Sequence, residues 1–162
     1  MTSEPLHTNL IERYMRACGR RTFRGHGESE YFFVANAQPR RLYVHLELSQ
    51  SFGDVVTIQV LPVSFFPAAD RPWLTRFADA WNQQNRGVSA ILHESSDPGR
   101  VALLARRSQW IRDDISFEDF AAFVDRTVAS AIDLFAELIP EVELSPVIEF
   151  PQAAPRLLRD AS

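Results

Sequence analysis

The sequence predicts an α+β fold, a five-stranded, largely antiparallel sheet with helices packed on one face, in the order α-β-β-β-α-β-β-α. Three observations carry that expectation. Apolar residues recur at three-and-four spacing in three separate segments, which marks three amphipathic helices. Between them the apolar period shortens to two, most clearly in Arg41–Ser49. The links between the alternating segments are short and rich in turn residues, too short for the crossovers that parallel strands need.

Taken in order, Leu10, Ile11, Tyr14, Met15 and Cys18 form the apolar stripe of a first helix over about Thr8–Cys18, with Gly19 as a natural stop. Arg20–Ser29 sets Gly25, His26 and Gly27 among charges and reads as a loop or a weak edge segment. Tyr31–Ala37, Arg41–Ser49 and Val55–Leu61 then form a meander through Gln38-Pro39-Arg40 and Ser51-Phe52-Gly53-Asp54. In its second strand Leu42, Val44, Leu46 and Leu48 face one way, and Tyr43, His45 and Glu47 the other. After Pro62 and Pro67, Asp70 and Pro72 supply the start of a helix over Trp73–Asn85, striped by Trp73, Leu74, Phe77, Ala78 and Trp81. Val88–His93 and Val101–Arg106 make a second hairpin through Asp97-Pro98-Gly99-Arg100, where proline then glycine suit a type II turn. The last helix has Ser116 as its cap, Asp119 at the third helical position and Ile115 placed to staple onto Phe120. Phe117, Phe120, Val124, Val128, Ala131, Phe135, Leu138 and Val142 then run at near-heptad spacing to about Pro140. Residues 1–142 are therefore expected as one domain. Residues 143–162, with Pro146, Pro151 and Pro155 and no periodicity, read as a tail whose Val147-Ile148-Glu149-Phe150 could dock.

Composition narrows the function classes. A chain of 162 residues, 46% hydrophobic and 23% charged, is sized for one globular core. No run approaches the ~18 apolar residues of a membrane span, and Met1–Pro5 lack a basic-then-apolar leader. The single Cys18 excludes an internal disulfide framework and fits a reducing compartment, so a cytoplasmic protein without a membrane partner is expected. A net charge of −4 argues against a nucleic-acid partner, which needs a basic footprint. All 17 basic residues are arginine, a bias that GC-rich codon usage explains and that also suits interfaces with carboxylates.

No catalytic signature stands on this framework: the chain has no glycine-rich phosphate loop, no nucleophile elbow and no histidine pair at metal-helix spacing. His45-Leu46-Glu47 and His26-Gly27-Glu28 match a histidine-x-glutamate fragment of zinc deaminases, but the paired cysteines are missing, so neither metal nor cofactor is expected. His45 and His93 read as ordinary strand residues and Cys18 as a small hydrophobe. Asp113-Asp114 and Glu118-Asp119 surround a helix N-terminus, where negative charge is structural. Arg13, Arg16, Arg20, Arg21 and Arg24 gather toward the end of the first helix, favouring its dipole or holding an acidic ligand. Phe65, Phe66, Trp73, Trp81 and Trp110 are read as clustering around the middle helix and second hairpin. Tyr31 and Phe33 against Phe32 and Val34, and Val101 and Leu103 against Ala102 and Leu104, make strands apolar on both faces. Helices on one side only would leave a second apolar face needing a partner.

The element order and the segment Phe77-Ala78-Asp79-Ala80-Trp81-Asn82-Gln83-Gln84-Asn85 resemble the YbjN-like proteins of bacteria, particularly actinobacterial ones with a Trp-Asn pair closing the middle helix. Through them the chain resembles the type III secretion chaperone (CesT-like) fold, over about Thr8–Val142. Arg86-Gly87-Val88 departs from the proline and basic-aromatic character of close relatives.

The resemblance implies a small acidic homodimer that holds an extended segment of a client protein, without catalysis. The alternative is a regulatory domain of the sensory transduction type, binding a small ligand or a partner protein. It further implies a dimer interface on the middle helix, placed here at Trp73, Phe77 and Trp81. The client peptide is expected over the outer sheet face together with the first helix, at Arg13, Tyr14, Arg20, Arg21, Tyr43 and His45.

Overall fold

The computed structural model describes residues 6–18, 22–24, 30–37, 40–49, 55–62, 65–112 and 114–138. Among these residues three α-helices, α1 (Leu6–Ala17), α2 (Arg71–Gln84) and α3 (Phe117–Leu138), accompany seven strands. The strands are β1 (Thr22–Arg24), β2 (Glu30–Ala37), β3 (Arg40–Leu48), β4 (Val55–Pro62), β5 (Phe66–Pro67), β6 (Ser89–Glu94) and β7 (Arg100–Trp110). All join one antiparallel sheet in the order β1-β2-β3-β4-β7, with β5 and β6 also on β7. Val101 pairs with both Phe66 and Glu94, and Ala105 with both Val60 and Ala90. Hence β4 and β5 share one edge of β7 and β6 takes the other, which gives six strand positions rather than the five expected.

The extra position is β1, three residues inside the segment read as a loop or weak edge, too short to show an apolar period. β7 runs four residues past its expected end because Arg107-Ser108-Gln109-Trp110 is held by pairing with β4, from Trp110 opposite Val55 to Arg107 opposite Ile58, and not by an apolar pattern. The second hairpin also differs in its turn. Gly99 does not take the positive φ of a type II turn; Arg100 N–H donates to Asp97 O at 3.1 Å, and Gly99 N–H to Asp97 Oδ1 at 2.9 Å.

The core lies between the helices and one face of the sheet. Alternate residues supply it: Tyr31, Phe33 and Ala35 from β2; Leu42, Val44, Leu46 and Leu48 from β3; Val56, Ile58 and Val60 from β4; Val101, Leu103 and Ala105 from β7. The last helix starts where expected, since Ser116 Oγ accepts from Asp119 N–H at 3.1 Å. Ile11, Tyr14 and Met15 of α1 and nine residues of α3 are buried against this face. Tyr14 carries the α1–α3 contact as well: its ring packs edge-on to Phe120, and its hydroxyl donates to Asp125 Oδ1 at 2.6 Å.

Trp81 and Asn82 join α2 to the edge strand. Trp81 is buried and donates its Nε1–H to Val88 O at 2.9 Å. Asn82 Nδ2 donates to Ala90 O at 3.0 Å while Asn82 Oδ1 accepts from Ala90 N–H at 2.8 Å, so one side-chain amide meets both backbone groups of one residue. The connecting loop lies close to α3: a β-carbon on Gly87 would collide with Ser130.

Phe135 tests the packing of α3, being 2% exposed in this core. Phe135→Ala is expected to cost about 3–5 kcal/mol, read as a lower denaturation midpoint with unchanged slope; an unchanged midpoint would mean that α3 does not pack on this face.

Candidate functional site

Strand alternation puts a second set of side chains on the face away from the helices. Tyr43, Leu61, Ala102 and Leu104 form a separate buried apolar cluster there, bordered by Phe32, Val34, Phe65 and Ile91. Leu61, Ala102 and Leu104 are only 1–3% exposed, although among the described residues the helices all pack on the other face. Toward the opposite end of β2 and β3 this face turns polar. Glu30 stands opposite Glu47, and His45 stands between Phe32 on one side and Gln59 on the other.

His45 and Gln59 are each 2% exposed, and His45 Nδ1 and Gln59 Oε1 have no hydrogen-bond partner among the described residues. The Phe32 ring lies tilted 4.7 Å from the imidazole. Burial drives the His45 pKa down to about 4, so the ring is neutral at neutral pH. Burial, and then the neighbouring Glu30 carboxylate, raise the pKa of Glu47, with Arg106 acting the other way.

The residues expected to bind a peptide do not form one surface. Tyr43 and His45 lie on this second face, whereas Tyr14 is buried beneath α1 on the helix side. Burial and the hydrogen bond to Asp125 hold its hydroxyl protonated. Arg13 is exposed on α1, with its guanidinium 4.2 Å from the Phe117 ring centre, where it braces α1 against the start of α3. The sheet therefore separates the first helix from Tyr43 and His45, because alternation fixes which residues share a face and not which face the helix takes. Arg20 and Arg21 lie outside the described residues. Of the expected dimer residues, Trp73 and Phe77 stack at 5.8 Å and are half-buried, while Trp81 is in the core of its own chain. Trp110 stands at the end of β7, 63% exposed, apart from the middle helix.

Sequence reasoning passes over a second group of arginines. Arg86, Arg106 and Arg107, with Gly87, Ser89, Ile91 and Ser108, line an open groove of about 350 Å³ at the β6 edge. These residues are scattered in sequence and meet only through the β6–β7 register, in which Ser89 faces Arg106. Such a groove suits carboxylates or other oxyanions.

Together these features define a class: an α+β protein whose sheet is backed by helices on one side and carries an apolar, polar-ended surface on the other. The chain belongs to the YbjN family, described as "Putative bacterial sensory transduction regulator", which it matches over residues 9–140. Among solved structures it is similar to YbjN from E. coli, with 17% identity over 85% of this chain and 95% of that one and a TM-score of 0.66. A protein from Methanothermobacter thermautotrophicus aligns at 13% identity over 84% of this chain and 99% of that one, with a TM-score of 0.53. A chain of the ExsC–ExsE complex aligns at 14% identity over 84% of this chain and 95% of that one, with a TM-score of 0.52. These likenesses show the fold. No curated protein matches the chain. No helix among the described residues is long and apolar enough to cross a membrane.

The depressed His45 pKa has a signed consequence. The unfolded chain takes up this proton near pH 6.5 and the folded chain only near pH 4, so the contribution is complete above pH 6.5 and is lost as pH falls from 6.5 to 4. Its size is ~3 kcal/mol. Glu47, whose folded pKa is raised, works in the opposite sense as pH rises, so the comparison is made against His45→Gln. Urea denaturation should show the natural protein losing more stability than His45→Gln between pH 7 and pH 4; parallel losses would contradict a buried neutral imidazole.

Proposed function

We propose that this protein is a non-enzymatic binding module, working in the cytoplasm, that holds an extended and partly apolar segment of a client protein on the sheet face away from its helices. One observation carries the reading. Strand alternation gives the sheet a second apolar face, with Tyr43, Leu61, Ala102 and Leu104 at its centre and Phe32, Val34, Phe65 and Ile91 around them, that no described helix covers. An apolar sheet face calls for a covering partner. An extended segment fits such a face by placing alternate side chains over the apolar cluster, and Arg106, with Arg86 beside it in the groove, supplies charge for its acidic residues. The similarity to a chain of the ExsC–ExsE complex agrees with a fold that serves a protein partner. The family description favours a second reading, in which the same face serves a regulator that controls another protein.

Within the chain itself, the proline-containing tail 143–162 is the competing occupant, and it lies outside the described residues. Truncation after Val142 separates the two cases. A client site predicts that the shortened chain stays folded and binds acidic, alternately apolar peptides at least as tightly as the full chain. Arg106→Gln should then weaken binding several-fold, and less so at high salt. A tail that only covers the face predicts loss of solubility, increased ANS binding and no peptide binder. Calorimetry that finds no binder with either chain would remove the client reading and leave the regulatory one.

The dimer is proposed on α2, through Trp73 and Phe77, whose stacked rings remain half-buried in one chain. Light scattering at micromolar concentration should give twice the chain mass, and Trp73→Ala with Phe77→Ala should return it to one. A monomer in the natural protein would remove this interface.

A further inference from the structure

The polar end of the second face gathers groups that the client reading leaves unused. Glu30, His45 and Glu47 each bring one ligand-type atom, a carboxylate oxygen or a ring nitrogen, and these lie within 4.8 Å of one another. The ladder makes this arrangement. Glu30 is paired directly with Glu47 across β2 and β3, and His45 lies two residues along β3 on the same face. Two independent features distinguish the group from surface acids that happen to be neighbours. His45 is 2% exposed and its Nδ1 has no partner among the described residues, and Gln59, directly across from it on β4, is equally buried with an Oε1 that has none among them either. Burying polar atoms without partners is costly, and the buried imidazole lies beside two carboxylates that repel each other.

We propose that Glu30, His45 and Glu47 bind a divalent transition-metal cation, with Zn²⁺ the best chemical fit. One cation answers the arrangement: it takes a lone pair of the buried imidazole and offsets the repulsion between the two carboxylates. The donor set selects among metals. An imidazole nitrogen with carboxylate oxygens suits zinc and its neighbours, calcium and magnesium prefer oxygen alone, and the absence of sulfur disfavours copper(I). Bonds of about 2.0–2.2 Å put two ligands of a tetrahedral zinc ~3.4 Å apart, so the half-buried glutamates need only a small rotation to close from their present spacing. Arg106, the other charged group acting on Glu47, is exposed and can swing outward. The expectation from sequence was that His45-Leu46-Glu47 lacks the cysteines of a zinc site; the third donor comes instead from the neighbouring strand.

The full chain, stripped with EDTA, is titrated with Zn²⁺ alone by calorimetry, with Mg²⁺ and Ca²⁺ as controls. One Zn²⁺ per chain is expected at micromolar or tighter affinity, together with a higher melting temperature. Glu30→Gln and Glu47→Gln should each weaken binding at least tenfold while circular dichroism stays unchanged. His93→Ala, on another part of the sheet, should leave it within twofold. Because variants can misfold, the natural chain is also titrated with Co²⁺, whose paramagnetism should shift or broaden the His45 ring resonances before those of other histidines. Failure to take up Zn²⁺, or uptake that both glutamine variants retain, or Co²⁺ effects that spare His45, would overturn the proposal. Peptide binding measured in EDTA tests the client reading separately.

Discussion

The sheet must stay dry on both faces at its centre, and most of the molecule follows from that requirement. β3, β4 and β7 place apolar side chains at even and at odd positions alike. Helices meet the requirement on one side, with α1 and α3 lying over the middle strands and α2 over the edge at β6. On the other side Leu61, Ala102 and Leu104 are as inaccessible as residues of the main core. Dryness on that side also shapes the chemistry of the polar groups beside it. His45 would be an unremarkable imidazole on a wet sheet. Between Phe32 and Gln59 it is a buried, neutral base.

Much of the fold is written locally and can be read from it. Helix α3 begins at Ser116 because a serine oxygen meets the Asp119 amide, an interaction three residues long. The alternation of Leu42 to Leu48 against Tyr43 to Glu47 needs only the pleat of a single strand. The features that escape such a reading are set at long range. Polar Arg107–Trp110 is strand because β4 lies next to it. Tyr14 belongs to the legible apolar stripe of α1, but the partner of its hydroxyl, Asp125, stands 111 residues away. The side of the sheet that α1 would take was not legible, and a surface joining Arg13 and Tyr14 to Tyr43 and His45 falls on that point.

The candidate site was half legible. His45-Leu46-Glu47 is visible as a same-face pair in any strand, but Glu30 belongs to the preceding strand and enters only through register. The β2–β3 register, with Ala37 opposite Arg40, puts Glu30 opposite Glu47. The third donor thus depends on pairing between strands, which motif spacing along a single strand cannot carry. The arginines of the β6 groove had no comparable signal, being joined only by tertiary pairing.

The Asn82 amide on Ala90 reaches beyond the joining of one helix to one strand. β6 is a border of the sheet, where backbone donors and acceptors face outward and invite a strand from another molecule. At Ala90 that invitation is already answered by a side chain imitating a peptide unit. An incoming strand would have to displace two hydrogen bonds and the end of α2 before it could pair there. Chains of this protein are thereby kept from zipping together into continuous ribbons along that border, and a self-association that spares the fold must use side-chain surfaces or the opposite border at β1.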